Sequence, residues 1–103
     1  MRVIARRTLT EFCESLRGSK DYKAVKAALD AWFQEAEALV WNSPADVKNS
    51  YGNASIVGKD RVVFNIKGND YRLIAAVQYR SGVLVIRFFG TPAEYDKVDA
   101  ETV

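Results

Sequence analysis

RVVFNIKGNDYRLIAAVQYRSGVLVIRFFG, residues 61–90, is the stretch that decides the fold. Side chains in a strand switch faces at every residue. Alternation through this run places Val62, Phe64, Ile66, Tyr71, Leu73, Ala75, Val77, Tyr79, Leu84, Ile86 and Phe88 on one apolar face. Asn65, Lys67, Arg72, Arg87 and Thr91 fall on the other, followed by Glu94, Tyr95 and Asp96. Gly68-Asn69 and Ser81-Gly82 tolerate positive φ and read as two-residue hairpin turns, which makes the sheet antiparallel. The resulting register sets Asn65 opposite Arg72, Arg72 opposite Thr91, and Arg87 opposite Ala76. Two guanidiniums would then stand over one shallow patch of sheet, within reach of a phosphate.

Upstream of this run the period changes from two to 3.6. Thr8-Leu9-Thr10-Glu11 has capping-box spacing, and Leu9, Phe12, Cys13 and Leu16 recur at the helical period before Gly18. Asp21 can cap a longer helix whose stripe is Val25, Ala28, Leu29, Trp32, Ala36 and Leu39. Ser43-Pro44-Ala45-Asp46 opens a short third helix. Val3, Ile4 and Ala5 read as an edge strand, residues 54–57 as a further strand of the sheet, and residues 99–103 as a loose tail. Helices followed by strands predict an α+β fold, with the N-terminal helices packed on one face of a mainly antiparallel sheet.

Composition narrows the function. A chain of 103 residues, 49% hydrophobic, can bury one core without a metal or disulfide staple, so one domain is expected. The single cysteine, Cys13, cannot pair internally and reads as a small buried side chain, which fits a reducing cytoplasm. The N-terminal apolar stretch is too brief for a signal peptide, and no run approaches the roughly 18 residues of a membrane helix. Net charge is only +2, but residues 59–87 carry six basic side chains against Asp60 and Asp70. That side should attract polyanions.

With no histidine and one cysteine, a typical zinc site, a Ser-His-Asp triad and a Cys-His pair are excluded. No Gly-rich phosphate loop is present, and Glu94 and Asp96, though close, are not spaced as a magnesium cage. Phosphate chemistry without metal or cofactor remains. Cleaving RNA this way needs in-line attack by the 2′-hydroxyl, proton transfer, and cations for the transition-state charge. Arg72 and Arg87 suit the last role, while Tyr95 or Glu94 could move protons. A free phenol is a poor base near neutrality and needs neighbouring cations to act. Lys59, Arg61, Asn65, Lys67, Arg80 and Thr91 are the expected RNA contacts. The same pattern also describes the solvated face of any antiparallel sheet. On that bland reading Lys67 is a strand end, Tyr95 packs under the sheet edge, and Glu94 and Asp96 only begin a helical turn. Trp32 and Trp41 read as helix core and boundary rather than base-stacking platforms.

The segment NASIVGKDRVVFNIKGNDYRL, residues 53–73, resembles the HigB toxin family, a RelE-like family of type II toxin-antitoxin systems. SPADVK (43–48), IRFFGT (86–91) and AEYDK (93–97) extend the resemblance over nearly the whole chain. It implies that residues 1–103 are a single RelE-like toxin domain. The implied activity is that of a ribosome-dependent endoribonuclease, which cuts mRNA in the A site and is neutralised by a HigA-type antitoxin. It further implies that Arg72 is the sheet arginine on the scissile phosphate, and that Tyr95 and its neighbours lie where proton-transfer groups are kept. One departure stands out. Related sequences commonly carry Thr-His where this chain has Thr91-Pro92. Either Glu94, Tyr95 or Asp96 takes the histidine's role, or activity is weakened. A non-catalytic RNA- or ribosome-binding module, and a degenerate toxin that acts only in complex with an antitoxin, are the competing readings.

Overall fold

Helix formation starts two residues before the capping box offered by Thr8. In the computed structural model, which describes residues 1–103 and every side chain except that of Arg6, α1 covers Arg6–Ser15. It is entered through Ala5 at φ 69 with no side-chain cap, and the Thr8 N–H donates to Ala5 O at 3.1 Å. Thr8 thus lies inside the first turn. α2 (Tyr22–Ala38) buries Val25, Leu29, Trp32 and Ala36, the expected stripe. Its Asp21 N-cap makes no side-chain cap bond. α3 (Pro44–Ser50) is capped by Ser43, whose Oγ accepts from the Asp46 N–H, with the proline in the first turn as anticipated.

Five strands form one sheet: β1 (Arg2–Ile4), β2 (Ser55–Val57), β3 (Arg61–Ile66), β4 (Tyr71–Gln78) and β5 (Val83–Gly90). Their order is β1-β5-β4-β3-β2, with β1 parallel to β5 and the other pairs antiparallel. The α+β expectation is met. Phe64, Leu73, Leu84, Val25 and both tryptophans fill the core between the helices and one sheet face, Trp32 and Trp41 being 3% and 1% exposed. At the β1 edge the Val3 N–H donates to Glu37 Oε2 at 3.4 Å, which occupies a donor that would otherwise invite another strand.

The β3–β4 register is the expected one, Asn65 against Arg72, with the Asp70 N–H donating to Lys67 O at 3.2 Å across the turn. The β4–β5 register is not. Gln78 pairs with Val83, so the turn takes residues 79–82, closed by the Gly82 N–H on Gln78 O at 3.0 Å. Further along, Ala75 pairs with Ile86 but Ile74 with Phe88, and Arg87 is the extra residue of a β-bulge. Arg72 therefore lies opposite Gly90 rather than Thr91, and Arg87 has no partner in place of Ala76.

Because one inserted residue reverses the alternation, Phe89 and not Phe88 enters the core. The Phe89 ring is 5% exposed, meeting Phe12 edge-on at 4.8 Å and stacking on Tyr71 at 5.5 Å. The outer face is covered too. Val63, Ile74 and Ala76 are buried although the helical layer lies on the other side. α4 (Pro92–Tyr95) packs on β4 and β5, and the chain after it reaches the β2–β3 turn. The tail expected to be loose is tied down. Thr102 and Val103 N–H groups donate to Asp99 O at 3.1 and 2.9 Å, and Arg61 Nη2 donates to Val103 O at 3.0 Å.

Candidate nucleic-acid interface

Arg72 is half-buried on the outer face, where its Nη1 donates to Asn69 O at 2.9 Å and Tyr71 O at 3.3 Å. Among the described residues no carboxylate pairs with it. A guanidinium held by main-chain carbonyls keeps its full charge for an incoming anion. Asn65 flanks it on β3 and Gly90 on β5. The bareness of Gly90 matters, since a Cβ there would stand 2.9 Å from Phe88 Cζ and 3.0 Å from Glu94 Oε1. The missing side chain lets α4 fold back over the sheet beside Arg72.

α4 is set by a capping box. Thr91 Oγ1 accepts from the Glu94 N–H at 3.2 Å, while Glu94 Oε1 accepts from the Thr91 N–H at 2.9 Å and the Thr91 hydroxyl at 3.0 Å. Pro92 occupies the first turn, where its ring suits the backbone and no N–H is missed. Thr91 and Glu94 are thus occupied in holding the turn. Its next residues are Tyr95, half-buried, and Asp96, exposed. Neither side chain has a hydrogen-bond or ion-pair partner among the described residues. A phenol and a carboxylate therefore stand on the element that packs against β4 and β5. Arg87, exposed on its bulge, is three residues from Gly90 along β5, about 10 Å at strand rise.

The other basic residues are not brought to this place. Lys67 adopts φ 54, and its ammonium lies 3.2 Å from Asp70 and 3.9 Å from Asp21 at the start of α2, on the helical side. The Asp70 hydrogen bond holds its pKa above the ordinary lysine value. Arg61 is 11% exposed along its side chain and is spent on Asp60 at 2.8 Å and on Val103 O. Lys59 and Arg80 are exposed, but they sit in the turns at the far end of the sheet, roughly 25 Å from Arg72 along β4. The basic stretch thus divides into a near pair, Arg72 and Arg87, and a far pair, Lys59 and Arg80.

The reading of the sequence missed Gly90, and also the second structural task of Thr91 and Glu94. Thr91-Pro92-Ala93-Glu94 does carry capping-box spacing, with a glycine just before it, so a signal was there. On the opposite side of the molecule α1 and α2 enclose a cleft of about 250 Å³ beside Cys13, whose thiol is pushed up by burial and by Asp30. It differs in kind from the cationic face, since Leu9, Tyr22, Leu29 and Phe33 line it together with Thr10, Glu14, Lys26 and Asp30.

A family model described as HigB_toxin, RelE-like toxic component of a toxin-antitoxin system, matches residues 25–98. The chain belongs to the HigB toxin family. The match runs from α2 to just beyond α4, so it takes in Arg72, Arg87, Gly90, Tyr95 and Asp96. No curated protein gives a significant match. As a HigB-family member the chain is the toxic component of a toxin-antitoxin system, and its partner is an antitoxin. RelE-like toxins are in general endoribonucleases. No helix among the described residues is long and apolar enough to cross a membrane.

Proposed function

We propose that this HigB-family toxin is a ribosome-dependent, metal-free mRNA endoribonuclease, acting in the A site and neutralised by a HigA-type antitoxin in the cytoplasm. What supports the reading above all is Arg72, a half-buried guanidinium without a carboxylate partner among the described residues, beside bare Gly90 and the element carrying Tyr95 and Asp96. In the reaction the 2′-hydroxyl oxygen forms a bond to the adjacent phosphorus and the bond to the 5′-oxygen breaks. The products are a 2′,3′-cyclic phosphate and a free 5′-hydroxyl. One proton leaves the attacking hydroxyl and one is delivered to the departing oxygen. Tyr95 and Asp96 supply these transfers, Arg72 neutralises the developing phosphorane charge with help from Arg87, and Asn65 contacts the sugar-phosphate backbone. Lys59 and Arg80 meet more distant phosphates. Arg61, Lys67, Thr91 and Glu94 hold the scaffold.

Such a sparse proton-transfer set makes substrate positioning decisive, which is the contribution of the ribosome. Programmed ribosomes incubated with the purified toxin should give site-specific breaks in the message, while free RNA is cut poorly. Intact message over a time course that consumes it with an active RelE-like toxin would overturn the enzymatic claim. The commitment of Thr91 and Glu94 to the capping box favours a second reading, a toxin fold retaining only its antitoxin complex. Growth unaffected by expression without the partner would support it.

A further inference from the structure

Arg61 begins β3 on the outer face, paired with Val57 on one side and Ala76 on the other. A side chain as covered as this one is an expensive place for a positive charge unless its donors are matched. Nη1 reaches Asp60 Oδ1 at 2.8 Å, Nη2 reaches Val103 O at 3.0 Å, and Nε is buried without a partner among the described residues. The second bond spans 42 positions in the chain and joins β3 to the end of the C-terminal segment. That segment leaves Gly90 at the Arg72 end of the sheet and returns at the Arg61 end. There Glu101 packs on Gly58, its Cγ 3.4 Å from where a Cβ would stand. On the same face Val63, Ile74 and Ala76 are closed off from water. Residues 96–103 therefore form a strap that runs on from α4 at the Arg72 end and is clasped by Arg61 at Val103. Tyr95 and Asp96 stand where α4 passes into it.

We infer that Arg61 is the latch of this strap and a positioning residue for Tyr95 and Asp96, not an RNA contact; this rests on the assignment of those two side chains to proton transfer. The planar fork is what the task requires, since its two terminal nitrogens reach Asp60 Oδ1 and Val103 O at once, whereas an ammonium makes one such link well. Loss of the latch frees the strap and lets the phenol and carboxylate drift from the scissile phosphate. Arg72 and its binding of the message are left in place.

The test uses the full chain with Arg61→Met, Arg61→Lys and Asp60→Ala. Amide hydrogen exchange is read at Thr102 and Val103, with β3 and β4 as internal reference, and kcat and KM are read on programmed ribosomes. Arg61→Met should raise strap exchange tenfold or more with the reference strands unchanged. It should lower kcat at least tenfold while KM moves less than threefold. Arg61→Lys should shift both in the same direction to a smaller degree. Unchanged strap exchange overturns the latch. A raised KM at constant kcat, restored by Arg61→Lys, makes Arg61 a phosphate contact instead. Should Arg61→Met not fold, Asp60→Ala, which removes the partner that aims the guanidinium, must by itself loosen the strap. Should the unaltered toxin cut nothing, the proposed function has failed, and strap exchange alone decides whether the latch exists.

Discussion

Arg72 spends its hydrogen bonds on carbonyl oxygens, and a charge satisfied in that way is still a charge. Arg72→Ala should lower message cleavage about 100-fold or more, the scale of losing one preorganised charge-stabilising group. The thermal midpoint should move only a few degrees, because the side chain is half exposed and outside the core. Cleavage on programmed ribosomes and a thermal scan of the same sample separate the two effects. Tyr51 is a residue of another kind. Its ring packs on Phe64 at 5.3 Å, and its buried hydroxyl has no partner among the described residues. Burial, with Glu35 adding to it, pushes its pKa from 10.0 up to about 12. The unfolded chain releases this proton near pH 10 and the folded chain holds it to about 12, so the group leaves stability independent of pH below pH 10 and lowers it as pH rises between the two. Tyr71 and Tyr79 are raised by burial as well and act in the same sense. Tyr51→Phe should reduce this alkaline loss without removing it. At neutral pH the variant should be as stable as the parent or more so, since an unsatisfied hydroxyl is gone. Urea midpoints from pH 7 to 12 check both statements.

At the scale of elements, β5 shows why some of the fold is legible in a sequence and some is not. The β3–β4 hairpin could be read because alternation and the Gly68-Asn69 turn agree on one register, and α3 because serine, proline and aspartate occupy the positions its first turn needs. Arg87 carries no such mark. A bulge adds one residue without changing composition, and both phenylalanines after it are equally apolar, so only packing decides which of them turns inward. The second turn misled for a related reason. Ser81-Gly82 suits a tight hairpin, but the chain also closes over residues 79–82, and a slip of two leaves the faces of Leu84 and Ile86 unchanged. Arg72 and the C-terminal segment stand out in the sequence as candidates, whereas the contacts from Lys67 to Asp21 and from Arg61 to Val103 O join distant segments that no local pattern announces. Phe89→Ala should accordingly cost about 3–5 kcal/mol, the range for truncating a buried aromatic. Phe88→Ala should cost clearly less, and equal losses in urea unfolding would contradict the bulge.

For the whole molecule, the division of its cations sets how it meets a polyanion. Among the described residues Arg72 and Arg87 on the sheet, and Lys97 next to Asp96, stand without an acidic partner near the proposed site, with Lys59 and Arg80 remote from it. Ribosome affinity should fall with salt, and removing Arg72 and Arg87 together should lower the slope of log affinity against log salt by about 2, roughly one per lost phosphate contact. Titration of binding at several potassium concentrations measures this directly. The parallel pairing of β1 with β5 brings residue 2 against residue 83, the longest-range ladder in the sheet. The N-terminal strand must wait for its neighbour until residues 83–85 have been synthesised, so that edge of the sheet closes last. Completion of the sheet is thus delayed by topology until β5 has been made, long after the three N-terminal helices are available to pack.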